Sequence, residues 1–159
     1  MLTITDHSRA SANLQYIYPV VSRRAGGVSI GVNLNPNNAC NWACVYCQVP
    51  DLTRGSAPKI DLRVLAQELD GFLADICHGD FMQTRVPPEA RRLNDIALSG
   101  NGEPTSAAEF GEVLTLIHSA LIKYQLLGQI KVVLITNGSL IHKPAVRAGI
   151  LQLAQMNGE

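Results

Sequence analysis

The chain has 159 residues, 47% of them hydrophobic, which is enough to bury the core of one ordinary domain and excludes a disordered polymer. Thirteen basic and thirteen acidic side chains cancel, so the overall charge advertises neither an RNA nor a membrane surface as partner. The charged fraction, 16%, is low for a freely solvated surface and leaves room for a partner-binding face.

The first thirteen residues are polar and mixed, without the basic start and apolar run of a signal peptide. No stretch reaches the roughly 18 consecutive apolar residues that cross a bilayer. The expectation is therefore a soluble cytoplasmic protein, without a membrane partner, whose thiols stay reduced. Residues 1–27 show no convincing period and read as an N-terminal extension. Within it, Tyr16 to Val21 form a short edge strand stopped by Ser22, and Arg23 and Arg24 before two glycines read as a solvated turn rather than a phosphate contact.

Val28 to Leu34 is an apolar, β-branched run that ends in Asn35-Pro36-Asn37-Asn38, the pattern of a buried strand running into a loop. A polar connection spans residues 50–58. Residues 61–77 carry Leu62, Leu65, Leu69, Phe72, Leu73 and Ile76 at helical spacing, with Glu68, Asp70 and Asp75 elsewhere. Cys77 lies beside that stripe and reads as a small buried thiol; His78, next to Gly79, reads as a helix-end residue. Residues 79–92, with Pro87-Pro88, are expected to be irregular. Residues 95–98 form a second strand that delivers Gly100 to Thr105 at its end. Residues 109–124 form a second helix through Phe110, Val113, Leu114, Ile117, Leu121 and Tyr124, with His118 as a packing residue and Gly128 as terminator. Residues 130–135 form a β-branched third strand, followed by the polar loop Thr136-Asn137-Gly138-Ser139 and a third helix over 143–156 opened by Pro144. Each strand is followed by a helix, which calls for an α/β fold with a parallel sheet and right-handed crossovers.

The densest chemistry lies between the first strand and the first helix. Cys40, Cys44 and Cys47 are separated by three and two residues, too close for three independent packing sites, and read as ligands of one metal. A closed structural zinc site needs four ligands, commonly in two pairs, and no second pair follows. Three thiolates on a [4Fe-4S] cluster leave one iron without a protein ligand, free to bind a small molecule. In the Gly100-Asn101-Gly102-Glu103 segment, small residues let backbone groups approach a ligand closely, and Glu103 supplies a polar anchor.

Cys40-x3-Cys44-x2-Cys47, with Tyr46 before the last cysteine, resembles the signature of the radical S-adenosylmethionine (radical SAM) enzymes. The Gly-Asn-Gly-Glu segment resembles that family's glycine-glycine-glutamate stretch, with Asn101 displacing the second glycine of the adjacent pair. Ser-Arg-Arg at 22–24, Gly-Val-Asn-Leu at 31–34 and Cys-Val-Tyr-Cys-Gln at 44–48 are similar in wording to the branch of wyosine-base tRNA enzymes and their bacterial relatives. The resemblance implies a [4Fe-4S] cluster on Cys40, Cys44 and Cys47, with S-adenosyl-L-methionine on the open iron and reductive cleavage to a 5′-deoxyadenosyl radical. It also implies Tyr46 near the adenine, Gly100, Asn101, Gly102 and Glu103 at the methionyl end, and Thr136 and Asn137 near the cosubstrate; a plain Asn-Gly turn is the alternative for the last pair.

The same resemblance implies a partial (β/α) barrel in which residues 28–159 are a truncated core, about three of six β/α units. A lost C-terminal half or a second chain would complete it. A reductase or other low-potential electron donor and a tRNA substrate are the implied partners. Two other readings stay open: a noncatalytic half barrel binding an iron-sulfur cluster or zinc, and a thiol redox protein using the Cys44–Cys47 pair.

Overall fold

The computed structural model describes residues 2–3, 12–22 and 26–159. Arg23 and Arg24 lie outside the described residues. The described residues form, in chain order, β1 (Ile17–Ser22), β2 (Gly27–Val32), β3 (Ala39–Cys40), β4 (Thr53–Arg54), α1 (Leu62–His78), α2 (Phe81–Arg85), β5 (Leu93–Leu98), α3 (Phe110–Lys123), β6 (Lys131–Leu134) and α4 (Pro144–Ala154). The main sheet has the order β1-β2-β5-β6. β1 is antiparallel to β2 at one edge, whereas β2, β5 and β6 run parallel, so their C-terminal ends lie on the same side. β3 and β4 form a two-residue parallel ladder of their own. The fold is therefore mixed α/β with a mostly parallel sheet. A partial barrel is a finer statement than these four strands make.

The alternation of side chains along the strands divides the sheet into two faces. Val28, Ile30 and Val32 of β2, Ile96 and Leu98 of β5, and Val132 of β6 are buried in one core with Leu65, Leu69 and Leu73 of α1, Val113, Leu114, Ile117 and Leu121 of α3, and Leu153 of α4. On the other face the buried side chains are small or polar: Ser29, Asp95, Ala97 and Val133, with the Tyr18 ring laid over Gly31. Only glycine fits at 31, because a Cβ there would come within 2.2 Å of the Tyr18 ring.

α1 starts where Asp61 accepts the backbone N–H groups of Arg63 and Val64, an N-cap its sequence position does not disguise. Glu68, on the polar side of the same helix, accepts the N–H groups of Gln15, Tyr16 and Ile17 and so steers the chain into β1. α3 packs on α1, and Lys123 pairs with Asp70 across that contact while the Tyr124 hydroxyl donates to the same carboxylate. The Lys123 ammonium, and then the Tyr124 hydroxyl, hold Asp70 below the usual carboxyl range. α4 lies on α3 where Gly149 meets Phe110 and Leu114.

Three sequence expectations are corrected. Cys77 is exposed rather than a buried thiol: it is one residue, about 100° of helical rotation, beyond Ile76, the last buried position of the stripe. Residues 79–92 are not irregular throughout, since Phe81 packs edge-on against Phe72 at 4.9 Å and anchors α2. The second helix ends at Lys123, before Gly128, because Gln125 already takes a left-handed conformation with φ of 56°. Among the described residues no helix is long and apolar enough to cross a membrane.

Candidate functional site

Parallel strands deliver their following loops to one edge of the sheet, where ligands of α/β proteins commonly gather. Here three loops converge there: residues 33–48 after β2, residues 99–106 after β5 and residues 135–143 after β6.

Amides join the first two loops. The Asn33 Oδ1 accepts from the Asn35 and Asn101 backbone N–H groups at 3.0 and 3.1 Å, and the Asn101 side-chain amide donates to Asn38 Oδ1 at 2.7 Å. Asn35 donates from its side chain to the Ala39 carbonyl at 2.8 Å, which sets the turn leading to Cys40. Gly100 and Gly102 allow the loops to lie flat on each other. A Cβ at Gly100 would be 2.3 Å from Asn33 Oδ1, and one at Gly102 would be 2.3 Å from the Ala39 carbonyl oxygen. The close approach that the glycines permit is thus made to the cysteine-bearing loop. The Asn101 Oδ1 is buried without a hydrogen-bond partner among the described residues.

Glu103 joins the second loop to the third. It is 2% exposed, and its carboxylate accepts four hydrogen bonds: from the Thr105 N–H and hydroxyl at 3.1 and 2.6 Å, the Thr136 hydroxyl at 2.7 Å and the Asn137 N–H at 2.7 Å. Such a carboxylate is fully occupied by its own chain. Asn41 closes the ring by linking the first loop to the third. Its side-chain amide donates to the Ser139 hydroxyl at 2.7 Å, and its Oδ1 accepts from the Asn137 side chain at 3.0 Å.

Of the residues singled out from sequence, Gly100, Asn101, Gly102, Glu103, Thr136 and Asn137 are therefore brought into one network. Asn33, Asn35, Asn38, Asn41 and Ser139 belong to it as well and were missed. Their signal was the run of asparagines on both sides of the first cysteine, which read only as loop composition.

The cysteines sit differently. Cys40 is half-buried in β3, with its thiol directed to Asn41 Oδ1 at 3.8 Å; Cys44 is half-buried; Cys47 is exposed. The Cys47 N–H donates to the Cys44 carbonyl at 3.0 Å and makes a tight turn whose tip, Val45 and Tyr46, points into solvent. A hydrogen bond with Cys44, followed by the charge of Cys44 and then of Cys47, holds the Tyr46 hydroxyl above the ordinary phenol range. Among the described residues no group of three or more His, Cys, Asp or Glu side chains is placed to hold a metal ion. In this arrangement of the loop the three thiols do not fit a shared metal or cluster.

Two aromatic side chains of the loop are exposed: Trp42 is 54% and Tyr46 82% accessible. Both lie on the segment that Asn41 ties to Asn137 and Ser139.

Comparison with known proteins corrects the family expectation. No family model matches the chain. A UPF0026 protein of Helicobacter pylori is 31% identical over 143 residues, covering 89% of this chain and 41% of the relative. A UPF0026 protein of Synechocystis is 30% identical over 135 residues, covering 82% of this chain and 42% of the relative. A protein of Brachyspira hyodysenteriae named GTPase Obg is 29% identical over 136 residues, but these are 17% of that protein. The chain spans about two fifths of the length of the UPF0026 relatives it matches. No solved structure matches. Membership of the radical SAM superfamily, and with it the [4Fe-4S]-dependent cleavage of S-adenosylmethionine and the iron-sulfur and metal-binding description, is withdrawn. The relatives carry another family name, no radical SAM model matches, and the described residues hold no metal-binding group.

Proposed function

We propose that the chain is a binding module for a small, neutral, ring-bearing molecule of the nucleoside class, held at the C-terminal edge of β2, β5 and β6. The observation that carries this reading is the pairing of two exposed aromatic side chains, Trp42 and Tyr46, with an amide and hydroxyl cluster on the loops that Asn41 ties together. A flat ring stacks on the aromatics. The amides of Asn41, Asn101 and Asn137 and the hydroxyls of Thr136 and Ser139 offer both donors and acceptors to the edges of such a ring or of a sugar. The Asn101 Oδ1, buried without a described partner, is an acceptor that a ligand or water donor would satisfy.

Glu103 acts in this reading as a positioning residue: occupied by Thr105, Thr136 and Asn137, it fixes the loops and does not itself meet the ligand. The single packed helix layer over one face of the sheet, with small side chains on the other, is also what a partial (β/α) barrel would have, and that finer architecture is part of the proposal.

Titration calorimetry with adenosine, against ribose as a base-free control, tests the reading. Adenosine binds with 1:1 stoichiometry, ribose does not, and Trp42→Ala weakens binding about tenfold, within the range expected for loss of about 1–3 kcal/mol of stacking. No heat with adenosine, or equal binding of ribose, would sink it.

A further inference from the structure

Cys44 and Cys47 stand at the two ends of one turn. The Cys47 N–H donates to the Cys44 carbonyl at 3.0 Å, with Val45 and Tyr46 as the central residues. A turn closed in this way brings its first and last α-carbons within about 7 Å, which overlaps the roughly 4.4–6.8 Å that a disulfide spans. Both sulfurs act on the same phenol, Cys44 more strongly than Cys47, so both lie close to the Tyr46 hydroxyl. All four cysteines are free thiols, and the other two have different settings. Cys40 is held in the β3–β4 ladder with its thiol on Asn41, and Cys77 is on α1.

We infer that Cys44 and Cys47 are a reversible thiol–disulfide site, oxidised by a small-molecule disulfide of the glutathione class, and that the state of this pair sets the position of Tyr46. Cys47 is exposed and Cys44 half-buried, which assigns the order of events. The Cys47 thiolate attacks one sulfur of the small disulfide, giving a mixed disulfide and releasing one small thiol. The Cys44 sulfur then attacks the Cys47 sulfur, closing the intramolecular bond and releasing the second small thiol. The electron pair passes from the cysteines to the small disulfide, and both thiol protons leave on the released thiols. The loop so closed is too short to gain much from chain entropy, so the bond acts as a labile switch and not as a structural staple.

Closing the bond takes both thiols away from the Tyr46 hydroxyl and fixes the ends of the turn that displays the ring. Tyr46 is one of the two aromatic side chains proposed to stack a nucleoside, so oxidation weakens adenosine binding; this consequence alone rests on that reading.

The test treats the reduced full chain with oxidised glutathione and maps its cysteines by peptide mass spectrometry. The expected product has lost both thiol hydrogens from the peptide that joins Cys44 to Cys47, and dithiothreitol restores them. Cys44→Ser should arrest at a glutathione adduct on Cys47, whereas Cys47→Ser should leave Cys44 largely unmodified. A wild-type chain that stops at the Cys47 adduct, or that forms its disulfide through Cys40 or Cys77, would overturn the inference. Adenosine is then titrated into both forms, and the oxidised one is expected to bind about threefold to tenfold more weakly, the equivalent of one lost polar contact. Equal affinity in the two forms would overturn the coupling to Tyr46. Absence of binding to either form would sink the nucleoside reading, while the mass result still decides the disulfide.

Discussion

Glu103 is the residue on which the loop arrangement turns. A buried carboxylate is costly unless its lone pairs are filled, and here two backbone N–H groups and two hydroxyls fill them. Glu103→Gln replaces one acceptor oxygen with an NH2 group that must face at least one of those donors. The expected loss is about 1.5–3 kcal/mol, the range for hydrogen bonds to charged groups. Urea denaturation reads it, and hydrogen exchange should show residues 135–139 opening first. An unchanged midpoint would mean that the carboxylate does not hold the loops. The sequence made Glu103 visible as a polar anchor beside glycines; that two of its four donors come from residues 33 and 34 positions downstream was not visible, because β5 and β6 are neighbours only after the sheet has formed.

At the scale of elements, two glycines inside helices separate packing from propensity. Gly71 is in the middle of α1 and a Cβ there would meet nothing within 4 Å, whereas a Cβ at Gly149 of α4 would lie 2.5 Å from the Phe110 ring. Gly71→Ala should therefore stabilise by about 0.5–1 kcal/mol, the helix-propensity difference. Gly149→Ala should destabilise by about 1–3 kcal/mol through overpacking at the α3–α4 contact. Thermal denaturation of the two variants should show shifts of opposite sign, and shifts of the same sign would contradict the packing described. The helices themselves were legible from their apolar period, with α1, α3 and α4 within a residue or two of the expected bounds. The two-residue β3–β4 ladder and α2 were not: the first is too short to have a period, and the second is held by one aromatic contact, Phe81 on Phe72.

For the whole molecule, the parallel run of β2, β5 and β6 explains why residues far apart in sequence share one edge. The alternation of strand and helix was enough to expect that edge, and to place Gly100 to Glu103 and Thr136-Asn137 on it. It was not enough to decide what the cysteines do. Three thiols at short spacing suggest one shared metal, but the half-buried Cys40 thiol turns to the side chain of the neighbouring Asn41 and Cys47 is exposed. The strand pattern fixes where a loop begins, while the loop's own turns decide where its side chains point.

The chain's single tryptophan, Trp42, stands on the loop where the ligand is proposed to stack, so its fluorescence is a local probe that needs no label. Titration with adenosine should produce a saturable change in Trp42 emission, and Asn137→Ala, which removes the tie to Asn41, should weaken it about tenfold. Emission that stays unchanged up to about 1 mM ligand, the weak end of specific affinity, would contradict a nucleoside site at this edge of the sheet.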